Sequence, residues 1–162
     1  MVVLIVLLAV FGLVVAIQAI RRQSINSRVA GCIALAAMFL FTGTSHFGLA
    51  DDMVLMLPDW VPWRYPIIYI TGVMELAMGV GLLWKLAQRF TGVVAILFLL
   101  CVFPANIYAA LNSVEFGGNV HGPRYLLFRV PLQIFLIGWI WFAAVRPRRS
   151  LRSVHADTQA NH

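Results

Sequence analysis

The stretch TGVMELAMGVG, residues 71–81, decides how the chain is read. It is apolar apart from Thr71 and one carboxylate, Glu75, and it lies inside a longer run from about Tyr65 to Trp84. A soluble helix would repeat charges along one wet face at every third or fourth position. Here the nearest other charges are Arg64 and Lys85, both beyond the ends of the run. Twenty residues at about 1.5 Å each reach about 30 Å, the hydrocarbon thickness of a bilayer. The run therefore reads as a membrane-spanning helix, with Glu75 placed where charge is expensive.

The rest of the chain agrees. Of 162 residues, 62% are hydrophobic and 11% charged, whereas soluble domains run nearer half and a quarter. A water-soluble fold of this size could not hide that much apolar surface. Four more runs have spanning length: Met1–Ile20, and about Val29–Ala50, Phe90–Leu111 and Tyr125–Val145. The expected fold class is an all-α integral membrane protein, one bundle of five spans over residues 1–146. The polar stretch 147–162 reads as a basic, disordered tail whose start touches anionic lipid. The first run is not expected to be a cleaved signal, because no basic segment precedes it, its core is too long, and Arg21 and Arg22 follow it.

Charge placement sets the expected orientation. Nine of the twelve Lys and Arg fall after spans one, three and five, at residues such as Arg28, Arg89 and Arg146. Asp51, Asp52, Asp59 and Glu115 all lie in the other two loops. The bias predicts an outside N-terminus and a cytoplasmic C-terminus. It also explains the net charge of +6 without nucleic acid, which is not expected as a partner. The lipid bilayer is. The loop DDMVLMLPDWVPWRYP, residues 51–66, mixes Pro58, Pro62 and Pro66 with Trp60 and Trp63. Proline forbids a continuous helix and tryptophan favours the headgroup level, so a short interfacial segment is expected, either an aromatic anchor or a lid.

Polar residues recur near one end of the spans. His46 and Thr42 lie on span two, Thr71 and Glu75 on span three, Asn106 on span four, Arg129 and Gln133 on span five. Each of the pairs 42/46, 71/75 and 129/133 is four apart and shares a helix face. Thr71 and Glu75 sit roughly 9 and 15 Å in from the outer end. A charge in hydrocarbon costs about 2.5–3.5 kcal/mol on insertion scales, so these side chains should face inward. The expected arrangement is a Glu75–Arg129 ion pair, with His46, Asn106 and Gln133 completing the hydrogen bonds. The cluster is either a ligand site or a pin that fixes helix register. Spacing gives no support for a metal site from His46 and Glu75, and no zinc or dithiol motif involves Cys32 and Cys101. His121, in GGNVHGPRY, reads as a solvated loop histidine. Pro104 inside span four is expected to kink it, and the carbonyl it frees near Leu100 or Cys101 is expected to be met by Asn106, by water or by another helix.

Six short stretches occur in order: HFG (46–48), LPDWVP (57–62), YITGVMEL (69–76), GLLW (81–84), VFPANIYAA (102–110) and RVPLQ (129–133). Together they resemble the DoxX family of small bacterial membrane proteins. The resemblance implies a compact four-helix bundle with span one as an N-terminal addition, in a bacterial cytoplasmic membrane. It also implies association with membrane redox proteins and, in some members, with quinone.

Two functions are expected to compete. One is a non-catalytic membrane subunit or anchor for a redox-linked assembly, in which the cluster is structural. The other is a quinone- or lipid-binding oxidoreductase subunit, with Glu75 or His46 accepting the proton that accompanies quinone reduction. A small-solute transporter fits less well, because the inner halves of spans two and four are almost without polar groups. No catalytic residue is assigned. An enzyme acting alone is not expected, since the chain has no glycine fingerprint after a strand and no haem-type histidine pair. GVMELAMG (72–79) and GVGLL (79–83) suit helix contacts within the chain or in a homo-oligomer.

Overall fold

The computed structural model describes residues 2–111 and 126–147, and every regular element among them is helical. The elements are α1 (Val2–Ile20), α2 (Ser27–Gly48), α3 (Ala50–Val54), α4 (Arg64–Leu83), α5 (Gln88–Leu111) and α6 (Leu126–Ile140). A π-helical turn, Trp141–Val145, continues α6. Five helices are long and apolar enough to cross a membrane, and each end lies within two residues of the expected run. His121, Arg124 and the tail beyond Pro147 fall outside the described residues.

Helix ends follow local chemistry. The Asn26 side chain accepts from the Val29 amide at 3.2 Å and caps α2, while its own amide donates to Gln18 Oε1 at 2.9 Å, tying off α1. Pro66 falls in the first turn of α4, where amides have no helical acceptor to lose. Leu55 to Trp63 form only turns, as the prolines require. Trp60 and Trp63 stand 82% and 80% exposed, clear of the packed bundle. Beneath them, Ala50, Met53, Val54 and Ile68 bury a small second core with Leu57 packed on it.

Four helices form a ring in the order α2, α4, α5, α6, each antiparallel to its neighbours. Glycine sets the closest seam. A Cβ on Gly72 would come within 2.6 Å of His46 Cβ, and one on Gly79 within 2.8 Å of Leu40 Cγ. The GVMELAMG glycines thus serve contact within the chain, and Gly81 of GVGLL does the same against Thr91 of α5. Leu35, Phe39, Leu82 and Ile140 fill the ring toward the Ile20–Ser27 and Leu83–Gln88 turns. The polar residues lie between this core and the opposite end. Helix α1 packs outside the ring: Leu7 is its one buried residue, and Phe11 meets Trp139 edge-on at 5.0 Å.

Pro104 lies inside an α5 that is helical from end to end. Its ring removes the amide that would bond to the Leu100 carbonyl. Side-chain amides reach carbonyls close by: Gln133 Nε2 donates to Leu99 O at 2.6 Å and Asn106 Nδ2 to Val102 O at 3.2 Å. Of the expected sources Asn106 serves Val102 instead, and the donor that comes nearest the freed carbonyl is on another helix, Gln133 at Leu99.

Candidate functional site

The expected polar residues divide into two groups on opposite sides of the ring. In the first, α2 and α4 meet at Gly72, close enough for His46 to reach across. His46 Nε2 lies 3.5 Å from Glu75 Oε1, and Nδ1 lies 3.0 Å from the Ile68 carbonyl and 3.3 Å from Thr71 Oγ1. Thr71 donates to the Ile67 and Ile68 carbonyls, and Thr42 to those of Met38 and Phe39. A carbonyl can only accept, so Nδ1 carries a hydrogen. The other ring nitrogen, Nε2, faces the Glu75 carboxyl, so His46 bridges a backbone carbonyl and an acidic side chain of α4.

In the second group, Arg129 Nη2 donates to Asn106 Oδ1 at 2.8 Å, linking α6 to α5. Asn106 and Gln133 are both buried. The Glu75–Arg129 ion pair expected from the sequence is not formed: among the described residues the partner of Glu75 is His46 and that of Arg129 is Asn106. The physical reason is the ring order. Glu75 on α4 and Arg129 on α6 lie on diagonal helices, and each reaches the nearer polar group on an adjacent one. Levels agree nonetheless. Gly31 faces Ala143 where α2 meets α6, so about fifteen residues along, His46 comes level with Phe128 and Arg129.

Among the described residues, two polar atoms at this end are buried without a partner, Glu75 Oε2 and Arg129 Nε. One is an acceptor and the other a donor, both on charged groups. Buried polar groups in native proteins are almost always satisfied, so each such atom asks for an explanation. A third, Trp139 Nε1, lies in the core half and faces Gly31, where a Cβ would stand 3.2 Å from it. No group of three or more metal-ligating side chains occurs among the described residues.

Sequence reasoning missed the Ile68 carbonyl as the anchor of His46, and the Asp51 carboxylate that accepts from Tyr65 at 2.9 Å. A backbone acceptor leaves no trace in composition. Asp51 in α3 and Tyr65 in α4 are fourteen residues apart across the irregular segment from Leu55 to Trp63, where periodicity carries no signal.

The model of a family described as a domain of unknown function (DUF8561) matches residues 35–144. This corrects the resemblance to DoxX, which no comparison supports. Glycine at helix seams, proline in spans and tryptophan at interfaces recur in small membrane bundles for common physical reasons, so short stretches rich in them are shared widely. The redox associations implied by that resemblance lose their support with it. No curated protein and no solved structure matches the chain.

Proposed function

The chain belongs to the family described as a domain of unknown function (DUF8561), and from that premise and the geometry above we propose that it is a multi-pass membrane protein whose polar cluster holds the head of a lipid-soluble ligand. The observation that carries this reading is the pair of buried, unpartnered polar atoms, Glu75 Oε2 and Arg129 Nε, at one end of an apolar ring. The charge bias of the loops supports an outside N-terminus and a cytoplasmic C-terminus, with the cluster in the outer half of a cytoplasmic membrane.

A quinone-type head fits the donor set. Arg129 offers an N–H to a ring carbonyl, and Glu75 with His46 takes or returns a proton at the opposite oxygen. Such a group, when bound, supplies a couple that moves electrons together with protons. The chain's part is to bind, to exclude water through the apolar core, and to hold the proton between His46 and Glu75. Catalysis by this chain alone forms no part of the reading; it acts as a ligand-holding membrane subunit.

A second reading has its own support. Thr71, Asn106 and Gln133 all donate to helix carbonyls, three of four bonds staying within their own helices. That pattern suits an anchor whose polar groups only fix helix register.

Native mass spectrometry of the protein, extracted gently from its own membrane, separates the two. The ligand reading expects a retained quinone-sized mass that is lost in both Glu75→Gln and Arg129→Leu. Retention of protein partners alone, unchanged by Glu75→Gln, overturns it in favour of the anchor.

A further inference from the structure

Away from the polar cluster, an apolar groove of about 370 Å³ runs between α5 and the end of α6, lined by Val93, Ile96, Leu97, Ile137, Gly138 and Trp141. Its depth comes from Gly138, where a Cβ would meet nothing within 4 Å, and from the π-helical turn that starts at Trp141. Leu97 and Trp141 are 57% and 55% exposed, so the groove opens to the outside of the bundle rather than into the ring.

Its basic end has a definite chemistry. Arg89, Val93, Ile96 and Leu97 follow at helical spacing along one stripe of α5, so Arg89 lies one turn below the groove. Arg146 follows the π-helical turn, its amide bonded to Trp141 O at 2.8 Å. The two arginines stem from neighbouring points: a Cβ on Gly92 would lie 2.9 Å from both Ala144 Cβ and Val145 Cγ2. Both are exposed, and neither has an acidic partner among the described residues. Arg28 is already engaged, with Nη1 and Nη2 each 3.5 Å from the Pro147 carbonyl and its guanidinium 5.8 Å from the Phe142 ring centre. No carboxylate lies at this end of the described chain. An apolar furrow with two exposed arginines stemming from beside one end, neither paired with an acid among the described residues, is complementary to an amphiphile with a negatively charged head.

We infer that the α5–α6 groove is a site for an anionic glycerophospholipid, with an acyl chain along Val93, Leu97 and Gly138 and the phosphate at Arg89 and Arg146. The inference rests on the membrane-spanning part of the functional reading and is independent of what the Glu75 cluster binds. Bilayer hydrocarbon fills an apolar groove whatever the headgroup, while guanidiniums at the headgroup level select negative charge.

The test is native mass spectrometry of the full chain in detergent, titrated in parallel with phosphatidylglycerol, phosphatidylcholine and glycerol 3-phosphate. Phosphatidylglycerol should be retained in preference to phosphatidylcholine. Each arginine should contribute about fivefold, so Arg89→Gln with Arg146→Gln should reduce the preference about twenty-fivefold. Gly138→Leu puts a side chain into the groove at a point where a Cβ meets nothing within 4 Å and should reduce retention of both lipids, while the arginine pair, being exposed, leaves folding intact. Equal retention of the two lipids by the wild type overturns the inference, as does competition by glycerol 3-phosphate, which would mark a free-anion site. Sodium carbonate extraction of native membranes keeps the two failures apart. Release of the chain would sink the membrane reading itself, whereas a chain that stays and shows no lipid preference sinks only this site.

Discussion

At the scale of single residues, the cluster obeys proximity rather than formal charge. Glu75 and Arg129 are half-buried charges in the spans, and electrostatics alone would pair them across the ring; their helices are diagonal, so His46 and Asn106 take the places instead. Double-mutant cycles expose this. His46→Ala with Glu75→Gln, and Asn106→Ala with Arg129→Leu, should each show coupling of at least about 0.5 kcal/mol in unfolding free energy. Glu75→Gln with Arg129→Leu should be additive to within about 0.5 kcal/mol; strong coupling there would restore the direct pair. Gly72 is the residue on which His46 depends. Gly72→Ala forces α2 and α4 apart at a 2.6 Å contact, and the cost should be about 1–3 kcal/mol, seen as a lowered thermal midpoint in detergent. Gly48→Ala meets nothing within 4 Å and serves as the control.

At the scale of elements, α5 and α6 are joined by side-chain amides placed near a proline. Gln133 Nε2 reaches the Leu99 carbonyl at 2.6 Å, one residue from the carbonyl that Pro104 leaves without its helical donor. Interhelical bonds of this type in membranes average about 0.6 kcal/mol and reach about 1.7. Gln133→Leu should fall in that range when unfolding is followed by titration with sodium dodecyl sulfate, and a larger loss would mean the amide holds more than one helix. The first helix is the opposite case. With Leu7 alone buried and the family match beginning at residue 35, α1 is a cover on the ring. Removing residues 2–22 should leave α2 to α6 inserted, with a protease-resistant core of unchanged size on gels. Loss of the core would show that the Phe11–Trp139 contact and Leu7 are required for the ring to close.

At the scale of the whole molecule, the distribution of charge and of wet and dry surface gives a direction. Among the described residues, Arg21, Arg22, Arg28, Lys85, Arg89 and Arg146 gather at one end, and Asp51, Asp52 and Asp59 at the other with the exposed Trp60 and Trp63. In a background with Cys32→Ala and Cys101→Ala, Trp60→Cys should react with a membrane-impermeant maleimide in intact cells, and Gln23→Cys only after the membrane is broken. The reverse pattern would invert the proposed topology and put the cluster on the cytoplasmic side.

How much of this was legible beforehand differs by layer. The five spans were, because a bilayer fixes helix length and tolerates few charges, so composition alone sets the boundaries to within two residues. That Glu75 and Arg129 need polar partners was legible too, since charge in hydrocarbon must find one, but their division into two groups rather than one cluster was not. The partners were not. Which helices are adjacent depends on where glycine lets two backbones approach, as Gly72 does for His46, and no single span records its neighbour. Nor could the sequence show the α5–α6 groove, since Gly138 is an ordinary small residue until Val93 and Leu97 stand opposite it. The sequence by itself determined what had to be buried; only the tertiary structure decided against what, because adjacency is a property of the ring and not of any one helix.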